Sequence, residues 1–321
     1  MKILVLGGAG FLGTHFVLRC LEEPGTEVLV MDSLDPRFYS SLAGLETVRE
    51  RIQFVKGDLR DESLLKKVIC HQDVIVNCAA QSSHVLSVRD PFLDAEINCL
   101  GNLRLLETIK NHNPEAVVIY PSSSTVIGRT HEEIVDEDQQ ERPLEIYSAH
   151  KTVAEKYYQI YHALYGLKTI VLRFANLYGP FGKNYPEFCF INYFIEQARR
   201  DREIQIFGTG EQVRNVTYAG DAAEILWRAW QCADLFGEVC FATSAYYHSV
   251  KEIAEAVISI FEKGRLSFTP WPKERGLIEI DPARFSSEKL RGITGWSPSH
   301  DLISGLQKTK EILEITSKVR T

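Results

Sequence analysis

The stretch Lys2-Ile3-Leu4-Val5-Leu6-Gly7-Gly8-Ala9-Gly10-Phe11-Leu12-Gly13-Thr14-His15 runs a short apolar segment straight into three spaced glycines and then into an amphipathic segment. That order folds as strand, tight turn and helix. Gly7, Gly10 and Gly13 keep a GxxGxxG spacing, and glycine there lets the backbone turn sharply, approach a pyrophosphate and pack the helix closely on the strand. The helix behind the turn offers unpaired N–H groups and a positive dipole end to an anion. A glycine-rich turn of this kind can also be purely structural, so the residues downstream decide. A second apolar run, Glu27 to Met31, ends on Asp32, 19 residues after Gly13. Acid at that place accepts from both adenosine ribose hydroxyls and repels a 2′-phosphate, which points to NAD rather than NADP.

With 321 residues, 45% hydrophobic and 25% charged, the chain can bury one large or two modest cores and is not disordered. A net charge of −7 leaves no electrostatic footprint for nucleic acid or an anionic membrane. The seven cysteines are scattered without a CxxC pair, and several fall in apolar runs, so free thiols are expected. No apolar run is long enough to span a bilayer, and the first helix starts too early and is too interrupted for a signal peptide. The expectation is a cytoplasmic protein.

Further strands are predicted at Arg51 to Asp58, Asp73 to Ala80, Ala116 to Tyr120 and Leu167 to Phe174. Between them the pattern predicts a helix over Glu62 to Ile69 capped by Asp61, another over Pro91 to Asn111, and a third over Tyr147 to Leu164. The second carries Leu93, Ile97, Leu100, Leu103, Leu106 and Ile109 on one stripe. Small residues at Ala79 and Ala80 let a flat cofactor approach the strand end. This alternation argues an α/β fold, a Rossmann-type doubly wound parallel sheet with ligands at the carboxyl ends of its strands. Beyond Asn176 the rhythm loosens: loop from Gly179 to Pro186, a helix over Phe188 to Arg200, a strand and glycine turn at Ile204 to Gly210, and helices at Asp221 to Cys232 and Ser249 to Phe261. A strand at Glu238 to Thr243 can rejoin the first sheet. The expected division is therefore interleaved, with 1–178 plus about 214–244 forming the dinucleotide-binding part and about 179–213 plus 245–321 a smaller α/β part.

Tyr147 and Lys151 stand at i and i+4, on one face of a helix. A free tyrosine titrates near pH 10, and a neighbouring cation lowers an acid by about 1 to 3 pH units, which brings a phenolate within reach as a general base. The pair opens the helix after the fifth strand, and that strand runs into Pro121-Ser122-Ser123-Ser124-Thr125-Val126-Ile127-Gly128. A serine at that strand end can hydrogen-bond the substrate hydroxyl from which tyrosine takes a proton, or simply cap a turn.

Taken together, these residues make nearly the whole chain resemble the extended short-chain dehydrogenase/reductase superfamily and, within it, the nucleotide-sugar epimerase/dehydratase family. The resemblance rests on the glycine turn, Asp32, Asp58-Leu59, Ala79-Ala80-Gln81, Asn98, the Ser122 to Gly128 run, Tyr147 with Lys151, Arg173 to Pro180, and Gly208 to Arg214. It implies an NAD site formed by Gly7, Gly10, Phe11, Leu12, Gly13, Asp32, Asp58, Leu59, Ala79, Ala80, Gln81, Asn98, Ser122, Tyr147, Lys151 and Phe174. Asp58 and Leu59 would meet the adenine, and Lys151 the nicotinamide ribose. It implies catalysis by Ser123, Tyr147 and Lys151. A nucleotide sugar would be held by Ser123 and Tyr147, with Asn176, Arg214 and Arg275 on its diphosphate. Such proteins commonly dimerise through the helices that here are Pro91 to Asn111 and Tyr147 to Leu164. Three departures stand out: Ile127 replaces a tyrosine, Asn215 and Gly220 stand where aspartates are frequent, and Gln81 and His84 lie in a stretch without an assigned role.

Ser124 and Thr125 follow Ser123 where the family's dehydratases carry an acidic pair and its decarboxylases a glutamate. Losing water or carbon dioxide beside a ketone calls for extra acid and base groups. Their replacement by hydroxyls resembles the 4-epimerases, which implies an NAD-dependent epimerase acting at C4 of a UDP-hexose or UDP-hexuronate. A 4-ketosugar reductase is disfavoured by Asp32, because most such reductases draw on NADPH. A non-catalytic dinucleotide sensor or scaffold would not need Ser123, Tyr147 and Lys151.

Overall fold

The apolar runs pair side by side. A computed structural model, which describes residues 1–38, 40–185, 188–271 and 284–319, centres on a seven-stranded parallel sheet. Its strands are β1 (Lys2–Leu6), β2 (Glu27–Asp32), β3 (Ile52–Lys56), β4 (Val74–Asn77), β5 (Val117–Ser123), β7 (Lys168–Phe174) and β11 (Val239–Phe241). The short β6 (Ile134–Val135) lies outside it and pairs with β14 (Arg284–Phe285). The order across the sheet is β11-β7-β5-β4-β1-β2-β3. Side chains alternate along each strand, so Ile3 and Val5 enter one core with Phe16 and Val17 of α1 (Phe11–Cys20), whereas Leu4 and Leu6 enter another. The first core also takes Ile225 and Leu226 from the helix Ala219–Ala229, which packs against α1. The second is covered by α2 (Glu62–Val68) and two later helices. Burial on both faces explains why these strands read as continuous apolar runs.

Strand order reverses between β1 and β4, and that opens a crevice at their carboxyl ends. The glycine turn lies at its base. Gly7 has φ +69°, and a Cβ there would stand 2.6 Å from the Ala79 nitrogen; one at Gly13 would stand 2.3 Å from the Gly7 carbonyl oxygen. Glycine is thus required both for the turn and for the approach of α1 to β1.

The helix expected over Pro91 to Asn111 is not continuous. After α3 (His84–Arg89) the chain forms α4 (Pro91–Asp94), a π-helical turn at Ala95–Leu100, and α5 (Gly101–His112). An extra residue in one turn rotates everything after it by about 100°. The predicted stripe breaks there: Leu105 joins Leu106 and Ile109 in the core, while Leu100 is 48% exposed. The helix predicted from Tyr147 is α6 (Ile146–Tyr165), N-capped by Glu145 and ended by Gly166 in the left-handed region. Strand β3 ends at Lys56, two residues before the expected Asp58.

Directly after β7, β8 (Asn176–Tyr178) leaves the large sheet for a three-stranded one in the order β12-β10-β8, with β10 at Val213–Tyr218 and β12 at Tyr247–Ser249. These short strands escaped the sequence pattern. The pair β9 (Glu203–Phe207) and β13 (Arg265–Thr269) runs parallel beside it. Its core joins Tyr178, Ile191, Phe194, Val216, Ile253 and Leu306, drawn in part from α7 (Phe190–Arg199) and from the helices Val250–Phe261 and Leu302–Val319. The strand expected at Glu238 to Thr243 is β11, paired with β7. Leu290 and Trp296, assigned with 245–321 to the smaller part, pack instead into the core of the large sheet, because the helix Glu288–Thr294 lies against β11. Among the described residues no helix is long and apolar enough to cross a membrane.

Candidate active site

A cavity of about 350 Å³ follows the carboxyl ends of β1, β2, β4 and β5 as a trough, lined at its centre by Gly7, Gly10, Phe11 and Leu12. Asp32, Gly57, Asp58 and Leu59 line one part, Ala79 and Ala80 another, and Ser122, Ser123, Tyr147, Lys151, Phe174 and Asn176 the remainder. Residues far apart in sequence meet here because most stand at or just beyond the carboxyl end of a strand, while Tyr147 and Lys151 reach in from the first turns of α6.

The Asp32 carboxylate is buried and fixed before any ligand arrives. Its Oδ2 accepts from the Ala9 N–H at 3.1 Å, and its Oδ1 from the Leu34 N–H and the Ser40 hydroxyl, both at 2.9 Å. Each oxygen can accept more than one hydrogen bond, so capacity remains for ribose hydroxyls. Asp58 pairs with Arg60 at 2.8 Å, and that pairing leads the causes that hold its carboxyl below the usual range. The glycine turn with its open helix N-terminus, the small alanines and the fixed acid fit a dinucleotide.

At the far end, the first turn of α6 is held by Glu145, whose carboxylate accepts from the N–H groups of Tyr147 at 2.8 Å and Ser148 at 2.9 Å. That cap aims Tyr147 into the trough. Ser123 lines the trough with Tyr147, and its hydroxyl lies 2.9 Å from Thr125 Oγ1. The Lys151 ammonium donates to the Pro121 carbonyl at 3.0 Å and lies 4.4 Å from the Tyr120 ring centroid, against 5.9 Å for Tyr147. Burial lowers Lys151 to about 8, partly offset by Glu155. The expected lowering of Tyr147 by Lys151 does not appear. Burial raises the phenol well above its ordinary value, the carboxylates of Glu145 and Asp94 raise it further, and Ser123 opposes them. An ionised Tyr147 therefore needs compensating positive charge beside it.

Several expected site residues stand elsewhere. Gln81 is fully buried behind the trough, donating to Asp94 Oδ2 at 2.6 Å and to the Ser83 carbonyl at 2.8 Å. Asn98 is buried beside it and donates to the Gln81 carbonyl at 2.8 Å. Both brace the loop after β4, and neither lines the trough. Ser122 does line it, yet its hydroxyl donates to the buried Glu155, the partner of buried Arg173. Gly13 packs the helix and does not face the cavity. Asn176 reaches the trough and donates to the Asn215 carbonyl. Arg214 sits on β10 opposite His248, outside the trough lining. Arg275 falls outside the described residues.

The departures also find places. Ile127 packs with Val126, Val135 and Phe241 in a small buried cluster, away from the trough. Asn215 is buried and donates to the carbonyls of Ser244 at 2.7 Å and Tyr246 at 3.1 Å, which ties β10 to the segment before β12. Gly220 opens the helix beside the Tyr218 ring, where a Cβ would come within 2.5 Å. His84, without a sequence-derived role, lines the trough against Tyr147.

A doubly wound sheet, a glycine turn facing a fixed acid, and a tyrosine and lysine one helical turn apart define the extended short-chain dehydrogenase/reductase class. Within it the chain belongs to the NAD dependent epimerase/dehydratase family, whose family model matches residues 3–238. It is 32% identical to UDP-glucuronate 4-epimerase 2 of Arabidopsis thaliana, over 96% of this chain and 74% of that protein. To the dTDP-D-glucose 4,6-dehydratase of Bos taurus it is 28% identical, over 97% and 88% respectively. Among solved structures, the UDP-glucose 4-epimerase of Thermotoga maritima with UDP-glucose matches with a TM-score of 0.89 at 28% identity, covering 99% of this chain and 100% of that one.

Proposed function

We propose that the chain is an NAD-dependent 4-epimerase of a nucleotide sugar, most readily a UDP-hexose or UDP-hexuronate. The observation that carries this reading is the distribution of charge along the trough. Among its described lining residues the carboxylates are Asp32 and Asp58, both on the ribose side, whereas hydroxyls of Ser123, Ser124, Thr125 and Tyr147 gather around Lys151. Elimination or decarboxylation would call for an acid at that end; moving one proton and one hydride out and back does not. The relatives supply the substrate class, since epimerases of UDP-glucose and UDP-glucuronate match over nearly the whole chain.

In this mechanism Gly7, Gly10, Asp32, Asp58, Leu59, Ala79 and Ala80 hold NAD. When bound, NAD supplies a reversible hydride acceptor and the positive charge of its nicotinamide ring. Tyr147 takes the proton of the sugar O4 and later returns it, with Ser123 orienting both hydroxyls. Lys151, together with the positive charge of the nicotinamide ring, offsets the burial and favours the phenolate of Tyr147, the form that accepts this proton. Asn176, Arg214 and Arg275 grip the diphosphate, the guanidinium forks matching phosphate oxygens. The smaller sheet and its helices form the sugar-nucleotide side of the cleft, and the resulting 4-keto sugar turns over between the two lobes.

Tyr147→Phe keeps the ring and the helix but removes the proton acceptor, so turnover should fall about 10²- to 10⁴-fold while NAD binding survives. C4-deuterated substrate should yield product that retains its deuterium without net NADH. Wild-type turnover in the variant, or loss of deuterium to solvent, overturns the reading. A reductase would consume external reduced dinucleotide, and a dehydratase would release water.

The assembly follows as a proposal too. Phe92 (81% exposed), Leu100, Val153, Ile160 and Leu164 present an apolar surface on α4 to α6, which supports a homodimer built there. Sedimentation should give twice the chain mass. We infer a cytoplasmic protein, supported by seven cysteines that all stay free.

A further inference from the structure

The segment from Gly179 to Lys183 carries none of the roles assigned above, yet it is anchored from both sides of the cleft. The Gly179 N–H donates to Asn192 Oδ1 at 3.0 Å, and the Pro180 carbonyl accepts from His15 Nε2 on α1 at 2.9 Å. Phe181 then packs against His15, with ring centroids 5.8 Å apart, in the left-handed region at φ +65°. That conformation is costly for a bulky side chain and persists only where the surroundings impose it. Its consequence is the direction of Lys183, which lines the dinucleotide trough. The Lys183 ammonium lies 3.4 Å from the Ser82 hydroxyl and 4.2 Å from the centroid of the Phe188 ring. Enclosure lowers its pKa to about 8, against a smaller opposing effect of Asp32. These partners are a neutral hydroxyl and a ring, whereas a partly buried ammonium is best satisfied by a full anionic partner.

We propose that Lys183 is a cationic contact for the pyrophosphate of the bound dinucleotide, supplied from across the cleft to close the site that the glycine turn leaves open. Asp32 ends β2 and Ser82 follows β4, the two strands that flank β1. A cation between them stands over the turn at Gly7 to Gly10, where the phosphates must lie. This contact has a use in the reaction proposed above, on which it rests. An epimerase must keep its cofactor through both halves of the cycle, and a lysine anchored through Pro180 and Asn192 ties NAD to both lobes.

The test is equilibrium binding of NAD, ADP-ribose, adenosine and UDP to the wild-type protein and to Lys183→Met, Lys183→Gln and Lys183→Arg, at two salt concentrations. NAD and ADP-ribose, which share the pyrophosphate, should each lose about ten- to a hundredfold in affinity in the Met and Gln variants, the range for a charge-assisted hydrogen bond. Adenosine and UDP should bind unchanged, Lys183→Arg should retain most of the affinity, and the wild type should show the steeper salt dependence. Unaltered NAD binding in both neutral variants overturns the proposal, as does a loss confined to UDP, which would place the cation on the sugar nucleotide. Failure of the wild type to bind NAD would instead sink the functional reading itself.

Discussion

His84 lies against the ring of Tyr147, with centroids 4.8 Å apart, while its Nδ1 sits 3.1 Å from Glu145 Oε1. One imidazole therefore touches both the proposed base and the residue that caps the helix carrying it. Burial would raise the Glu145 carboxyl, but hydrogen bonds from His84 and Ser148 outweigh this and hold it near about 2. Because the N–H groups of Tyr147 and Ser148 also bind Glu145, the cap should survive loss of His84.

From this follows a prediction that separates ring packing from charge. His84→Ala frees one face of Tyr147 and should lower kcat about tenfold, since small misplacements of a reacting group cost one to two orders of magnitude. His84→Phe restores a ring without the hydrogen bond and should recover kcat to within about threefold. If the two variants lose activity equally, the Glu145 contact matters and the ring contact does not; steady-state kinetics of both with UDP-glucose decide.

The parts of the site legible in the sequence are those set by short-range geometry. Gly7, Gly10 and Gly13 are forced by one turn, Asp32 by the end of the next strand, and the shared face of Tyr147 and Lys151 by one helical turn. What escaped depends on residues distant in the chain. The raised Tyr147 pKa comes from burial together with Glu145 and Asp94, the latter on α4, and Lys183 meets Ser82 about a hundred residues away. Gln81 and Asn98 belong to the family pattern, but their side chains brace a buried loop, which a motif cannot distinguish from ligand contact. The π-helical turn broke a regular apolar stripe because a single inserted residue leaves no mark in composition.

Cofactor choice should follow Asp32. The guanidiniums of Arg37 and Arg60 are already engaged, with Asp35 at 2.6 Å and Asp58 at 2.8 Å, so neither is free to meet a 2′-phosphate beside the Asp32 carboxylate. NAD should bind more than about tenfold tighter than NADP, and Asp32→Ser should narrow the gap. Calorimetric titration of both dinucleotides checks this, and equal affinities in the wild type would remove Asp32 from the ribose.

Acid stability should report on His15. The imidazole is buried between Phe11, Phe181 and Tyr218; burial lowers its pKa to about 4, with the hydrogen bond to the Pro180 carbonyl opposing. An unfolded histidine titrates near 6.5. Between these values the unfolded chain binds more protons than the folded one, so unfolding free energy falls as pH drops from about 6.5 to 4. At pH 5 the penalty from this one group is about 2 kcal/mol relative to pH 7. His15→Gln keeps a side-chain N–H able to reach the Pro180 carbonyl and cannot titrate. It should therefore start somewhat less stable at pH 7 and lose about 2 kcal/mol less on going to pH 5, measured by urea denaturation at both values. Carboxylates titrate alike in the two proteins and cancel in the difference. Parallel losses would show that His15 protonates in the folded chain as readily as in the unfolded one, and that the contact between α1 and the Pro180 segment tolerates the charge.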